Sequence, residues 1–322
     1  MKKIAVFTSG GDSPGMNACI RAVVRSGIFQ ELEVMGITHG YEGMIDGKFI
    51  PLNSESVSGI IQRGGTFLKT ARSSRFHTAE GMKSAYENLK KEKIDGVVAI
   101  GGDGTFRGAV EFNKSFDVPF IGIPGTIDND LAGTDYTLGF DTAINTVVEA
   151  VDKIRDTASS HDRLFFVEVM GRDAGSIALL SGISVGAEAI LIPETKTHID
   201  KLIITLQRGW HRNKTSMIVM VSEGDEAGGA YKIAELVKNK ITNIDTRVTV
   251  LGHIQRGGNP TCNDRILASR LGVAAVEALK NGRREEMLGI MNGEICFTPF
   301  SLAVKQHIIN QNLLKIAEIL SL

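Results

Sequence analysis

Two hydrophobic periods alternate along this chain. Short apolar runs bounded by glycine, proline or acidic residues read as buried strands at 4–8, 33–38, 95–100, 119–123, 164–169, 190–192, 217–221, 246–251 and 287–291. Between them the period lengthens. Met16, Cys19, Ile20, Val23, Val24, Gly27 and Ile28 share one helix face, and so do Phe140, Ala143, Ile144, Val147, Val148, Val151 and Ile154. Further helices are predicted over 79–91, 263–280 and 301–319, with one of small residues after Gly175. Strands that alternate with helices and are joined by glycine turns predict an α/β protein of two doubly wound lobes, each with a mostly parallel sheet.

In such sheets ligands bind in the loops past the carboxyl ends of the strands. Those loops carry the unusual residues here. The run at 4–8 ends in Ser9-Gly10-Gly11-Asp12-Ser13-Pro14-Gly15, and a helix follows, an arrangement that aims backbone N–H groups at a phosphate. It matches neither the P-loop, because no Gly-Lys-Ser/Thr follows, nor the dinucleotide fingerprint, whose glycine spacing differs. The run at 95–100 ends in Gly101-Gly102-Asp103-Gly104-Thr105. Its glycines let backbone approach phosphate without a Cβ in the way, and Asp103 is a hard oxygen ligand suited to Mg²⁺. The run at 119–123 leads into Pro124-Gly125-Thr126-Ile127-Asp128-Asn129-Asp130. Turn chemistry alone accounts for Asp, Asn and Gly here. A close carboxylate pair, however, repels itself unless a cation or a transferable proton sits nearby. Together the two acidic loops point to phosphoryl transfer.

At 322 residues, one large or two smaller domains are expected. A formal net charge of -1 argues against a chain built for nucleic acid or anionic membrane, so any anion site is local. Local charge is present: Arg21 and Arg25 stand four apart on the first helix, opposite its apolar stripe, either as a solvated face or as a second anion site. Cys19, Cys262 and Cys296 form no metal-ligand spacing, which suits a reduced, cytoplasmic compartment. No run approaches the roughly 20 apolar residues of a membrane span, and no signal-peptide pattern opens the chain.

With Met170-Gly171-Arg172 and Gly252-His253-Ile254-Gln255-Arg256-Gly257-Gly258 added to the stretches Thr8 to Asp12, Gly101 to Gly104 and Pro124 to Asp130, the chain resembles the ATP-dependent 6-phosphofructokinases over essentially its whole length. The resemblance implies transfer of a phosphoryl group from MgATP to the 1-hydroxyl of fructose 6-phosphate, in glycolysis, by a homotetramer. It implies Asp128 as the base, with Thr126 and Arg172 as further catalytic groups. ATP would be held by Gly11, Arg72, Ser73, Gly102, Asp103, Gly104 and Thr105, with Asp103 on Mg²⁺. Arg72 joins Arg172 in stabilising charge on the transferring group. The sugar phosphate would meet Thr126, Asp128, Arg163, Met170, Gly171, Arg172, Glu223, Arg247, His253 and Arg256, of which Arg163 and Arg247 reach in from a neighbouring subunit. The implied domains are 1–139 with 253–302, binding ATP, and 140–252 with 303–322, binding the sugar phosphate.

Two departures within the family bear on this chain. Its pyrophosphate-using members typically carry Asp and Lys where Gly104 and Gly125 stand, and side chains there would fill space that the α-phosphate needs. Glycine at both positions implies ATP. Bacterial members bind ADP as activator or phosphoenolpyruvate as inhibitor, at positions matched by Arg21, Arg25, Arg155, Gly186, Glu188, Arg212 and Lys214. Ser54, Glu55, Thr215 and Ser216 depart from that pattern, as does His77 near ATP, so an altered nucleotide response is expected. Two other readings of the residues stand beside this one. A lipid or NAD kinase shares the Gly-Gly-Asp-Gly loop but leaves the Asp128 loop unexplained. A sugar-phosphate-binding regulator without chemistry should lack the base or the metal acid, and both are present.

Overall fold

A computed structural model describes residues 1–160, 163–212, 214, 216–241, 244–306 and 308–321. The chain begins β1 (Lys3–Thr8), α1 (Met16–Phe29), β2 (Glu33–Ile37), α2 (Gly40–Ile45), β3 (Phe49–Leu52), α3 (Ala79–Lys91), β4 (Gly96–Gly101), α4 (Asp103–Asn113) and β5 (Phe120–Pro124). It continues α5 (Phe140–Ser159), β6 (Arg163–Val169), α6 (Ser176–Ser184), β7 (Ala189–Leu191), α7 (Ile199–His211), β8 (Ser216–Ser222), α8 (Ala230–Lys238) and β9 (Asp245–Val250). It ends α9 (Cys262–Lys280), β10 (Glu286–Met291), β11 (Glu294–Pro299) and α10 (Gln311–Leu320). Two compact units result. One comprises Met1–Ile127, Leu131–Thr142 and Arg256–Gln306; the other comprises Asp128–Asp130, Ala143–Gln255 and His307–Leu322.

The first unit is built on a seven-stranded sheet in the order β11-β10-β5-β4-β1-β2-β3. β2, β1, β4, β5 and β10 run parallel, and only the edge pairs β2–β3 and β10–β11 are antiparallel. Successive side chains on a strand face opposite ways, so Ile4 and Val6 pack with α1 and α9, while Ala5 and Phe7 pack with α2, α3 and α4. Burial on both faces is why the central strands read as unbroken apolar runs. Where the loop enters α5, Asp264 of α9 accepts from the backbone N–H of Gly139 (2.8 Å) and Thr142 (2.9 Å) and from the Thr142 hydroxyl. Such a cap is worth about 1 kcal/mol. Burial nevertheless pushes this carboxyl above the ordinary aspartate range, against those donors.

The second unit carries a four-stranded, wholly parallel sheet in the order β7-β8-β6-β9. Leu164 and Phe166 of β6 and Met217, Val219 and Val221 of β8 pack against Leu202 and Leu206 of α7 and Ile233 and Val237 of α8. α10 packs against α6 and β7.

The structure corrects the expected helix over 301–319: the helix is confined to Gln311–Leu320. Upstream, Ala132 N–H donates to the Val304 carbonyl and Lys305 pairs with Leu131, so backbone that a helix would need is committed to extended pairing. The helix starts where the Asn310 side chain accepts from the N–H groups of Asn312 and Leu313. The edge strands β3 and β11 and the short α2 had no clear signal. β3 contains Pro51, which is tolerated at a sheet edge and obscures a strand pattern.

Candidate active site

In the first unit three loops are placed side by side by strand pairing. Ser9 N–H donates to the Ile100 carbonyl (2.9 Å) and Gly125 N–H to the Gly101 carbonyl (2.9 Å), while Gly101 and Pro124 are register partners. The carboxyl ends of β1, β4 and β5 therefore present Gly10-Gly11, Gly102 to Thr105 and Gly125-Thr126 as neighbours. α4 starts at Asp103 behind Gly102, which supplies no side-chain cap; Thr105 N–H turns back to the Gly102 carbonyl (2.9 Å), so the N–H groups of Asp103 and Gly104 are the ones left at the positive helix end. The Thr105 hydroxyl is buried without a hydrogen-bond partner among the described residues. A Cβ on Gly104 would meet nothing within 4 Å. One on Gly125 would lie 3.0 Å from Met16 Cε and 3.1 Å from Ile100 Cγ2, so packing alone explains that second glycine.

Asp103 is held by its own helix: Arg107 Nε donates to Oδ1 at 2.9 Å. Arg256 lies against the first loop, its Nη1 donating to the Asp12 carbonyl (3.1 Å) and standing 2.5 Å from where a Cβ on Gly11 would be. Arg72 is exposed on a loop whose next residues are anchored. The Ser73 hydroxyl donates to Glu42 and accepts from Phe76 N–H, while Arg75 Nη1 donates to Glu42 (2.5 Å) and Asp46 (2.9 Å). The Ser73 hydroxyl, followed by Arg75, holds the Glu42 carboxyl below the ordinary glutamate range. His77 ends the short turn Arg75–His77 and is exposed. The Thr126 carbonyl accepts from the Thr137 hydroxyl (2.6 Å), fixing the backbone two residues before Asp128.

In the second unit Asp128 and Asp130 are buried, and between them Asn129 has φ 50°. Past β6, Gly171 (φ 140°) and Arg172 (φ 53°) turn the chain sharply. A Cβ on Gly171 would lie 2.2 Å from the Ala174 carbonyl, so only glycine fits. Left-handed non-glycine residues such as Asn129 and Arg172 are held by their surroundings and cluster at functional sites. Glu223, just past β8, accepts from Arg172 N–H (2.9 Å). Gln255 is wholly buried; its Oε1 accepts from Met170 N–H (3.1 Å) and its Nε2 donates to the Gly252 carbonyl (2.9 Å). His253 is exposed on that same turn. Met170, Gly171, Arg172, Glu223 and His253 thus share the carboxyl end of the second sheet.

The structure does not bring Arg163 and Arg247 to that end. Arg163 opens β6, and both it and Arg247 of β9 engage Asp245, the first residue of β9. Also before strands lie most residues matched to the regulatory site. Arg155 donates to the Val185 carbonyl, Gly186 turns at φ 61°, and buried Glu188 accepts from Ile218 N–H (2.6 Å) and Lys214 Nζ (3.2 Å). Glu188, Arg208, Arg212 and Lys214 line a cleft of about 220 Å³. Thr215 lies outside the described residues. Arg21 and Arg25 belong to the first unit, with no ion pair among the described residues, and burial followed by the Arg25 charge lowers the Arg21 pKa.

Sequence reasoning did not single out Gln255, Glu42, Asp245 or Arg107. Gln255 stood inside a quoted motif, but its partner is 85 residues away.

A family model described as Phosphofructokinase matches residues 3–279. The chain is 56% identical over 305 residues to an ATP-dependent 6-phosphofructokinase 2 of Bacteroides thetaiotaomicron, covering 95% of this chain and 94% of that one. It is 54% identical over 323 residues to the ATP-dependent 6-phosphofructokinase 1 of Thermus thermophilus, covering both in full. Its fold is similar to the phosphofructokinase structure from Saccharomyces cerevisiae, with TM-score 0.89 and 36% identity over 99% of this chain. This chain spans about half of that yeast chain, at 46%.

Proposed function

The chain belongs to the phosphofructokinase family, and on that premise we infer that it transfers the terminal phosphoryl group of ATP to the 1-hydroxyl of fructose 6-phosphate, the glycolytic step. One observation carries the reading: the Gly102-to-Thr105 and Gly125-Thr126 loops are neighbours at strand ends, with open space over Gly104, and the second runs directly into Asp128. That is a phosphate cradle joined through a single residue, Ile127, to a buried carboxylate. The Asp103 and Gly104 N–H groups at the start of α4 and the Thr105 hydroxyl bind the triphosphate, with Gly102, Gly11, Arg72 and Ser73 beside them. Since the Ser73 hydroxyl is engaged by Glu42, Ser73 contributes through its backbone and by placing Arg72.

Asp128 accepts the proton of the sugar hydroxyl, and Thr126 orients that hydroxyl. The transition state of phosphoryl transfer is loose, so positioning and charge neutralisation dominate over base strength. Arg72 and Arg172 supply planar guanidinium donors to the transferring group. Mg²⁺ typically takes one or two carboxylates together with substrate phosphates and water. Asp103 beside the open Gly104 surface fits that demand through Oδ2, since Arg107 engages only Oδ1. When bound, the metal neutralises charge on the phosphates.

Glu223, Met170, Gly171, Arg172 and His253 bind the sugar phosphate, while Arg163, Arg247 and Arg256 meet its charge. The seven residues of β6 separate Arg163 from Met170 by about 20 Å. This separation supports a homotetramer in which Arg163 and Arg247 serve a neighbouring subunit's site. Arg21 and Arg25 in the first unit, and Arg155, Gly186, Glu188, Arg212 and Lys214 in the second, are ligands for the regulators ADP or phosphoenolpyruvate. Three free cysteines suit a cytoplasmic enzyme, and no helix among the described residues is long and apolar enough to cross a membrane.

The test is a coupled assay with ATP and fructose 6-phosphate on wild type and Asp128→Asn. Loss of the base is expected to lower kcat by about 10²- to 10⁴-fold. A variant that keeps wild-type turnover would remove Asp128 from the mechanism.

A further inference from the structure

We propose that Asp245 is a positioning residue that holds Arg163 and Arg247 together for the sugar phosphate; the inference rests on the reading of those arginines as phosphate ligands. β6 and β9 are parallel neighbours whose first residues, Arg163 and Asp245, are register partners. Arg247 stands two residues along β9 and so shares a face with Asp245. The carboxylate is divided between them. Arg163 Nε donates to Oδ2 at 2.8 Å, and Arg247 Nη1 lies 2.5 Å from Oδ1 while also donating to the Thr246 carbonyl at 3.2 Å.

Two guanidinium groups that share one carboxylate would repel each other without it. The Arg163 side chain is largely packed at 23% exposed, whereas that of Arg247 is half exposed and would otherwise sample many rotamers. Asp245 removes both disadvantages before substrate arrives. It also grips Arg163 from the Nε side, which leaves both Nη groups of Arg163 and Nη2 of Arg247 without partners among the described residues. Those are the forked donors that recognise a phosphate. With one negative charge against two positive ones, the cluster keeps a net attraction for the substrate.

An opposing electrostatic effect makes the inference testable by sign. A carboxylate this close to an incoming phosphate repels it, so a competitor role predicts tighter binding once Asp245 is removed. A positioning role predicts the reverse. Ordering two long side chains anew should raise KM for fructose 6-phosphate by about 5- to 10-fold in Asp245→Ala, with kcat and KM for ATP within about 2-fold of wild type. Asp245→Glu should recover part of the loss, and Asp245→Asn provides a reading should the alanine variant fail to fold. An unchanged or lowered KM in these variants overturns the proposal if Arg163→Ala and Arg247→Ala do raise it. If the arginine variants leave KM unchanged, the phosphate-ligand reading falls, and this inference with it.

Discussion

The open surface over Gly104 gives a prediction in which stability and function move apart. In Gly104→Asp the new side chain enters the first turn of α4, where its Cβ meets no protein atom within 4 Å. The fold should lose nothing. Glycine is the weaker helix former, and a carboxylate near a helix N-terminus is worth about 0.3–1 kcal/mol, so stability should hold or rise slightly. The nucleotide is affected differently. A carboxylate about 5 Å from one phosphate charge costs about 3 kcal/mol at an effective dielectric of about 20, or about two decades in KM for ATP. Gly104→Ala, which adds bulk without charge, should show a smaller loss. Urea denaturation followed through the midpoint, beside steady-state kinetics at varied ATP, reads both quantities. A KM for ATP within about threefold of wild type, with the fold intact, would refute the placement of the phosphates over this turn. Pairing the change with Gly125→Lys would confuse the reading, because a Cβ there already presses on Met16 and Ile100 at about 3 Å.

Two further outcomes follow from the loop carrying Arg72 and from the arginines of α1. Glu42, whose carboxyl is held low by Ser73 and Arg75, contributes stability above the ordinary glutamate pKa of about 4.3, and that contribution is lost as pH falls through its own lower value. Hydrogen-exchange protection factors over 70–77, which remove the intrinsic pH dependence of exchange, should therefore fall on acidification in wild type, with no such step in Glu42→Gln; the same step in both would sink the anchoring role. Arg21 and Arg25, a like-charged pair whose repulsion an anion would relieve, should make fructose 6-phosphate saturation respond to ADP or phosphoenolpyruvate. The response should weaken in Arg21→Ala, and a wild-type titration with no response to either effector would dismiss the regulatory site. Light scattering should show a tetramer; a fully active monomer would contradict the cross-subunit role of Arg163 and Arg247.

Much of the architecture was legible in the sequence because its causes are short-ranged. Apolar period and breaker residues mark β1, β4, β5, β6, β8 and β9 to within a residue or two at either end. Parallel order in the two sheets follows from the βα alternation. The loops with chemistry were legible for the same reason, since glycines and acids at a strand's end depend only on immediate neighbours. The expected helix over 301–319 overreached because pairing between 131–132 and 304–305 is invisible to local periodicity.

The sequence by itself thus determined the order of strand, glycine loop and helix, and which acids stand at the strand ends. Only the tertiary structure decided what holds those loops. Gln255 grips Met170 across 85 residues, Ser73 ties to Glu42 across 31, Arg256 reaches Asp12 across 244, and Arg163 meets Asp245 across 82. It also decided that Arg163 and Arg247 meet at one carboxylate, Asp245. The physical reason is range: backbone preference and hydrophobic period act over a few residues, whereas a hydrogen bond or ion pair between distant segments exists only once the sheets have brought their ends together.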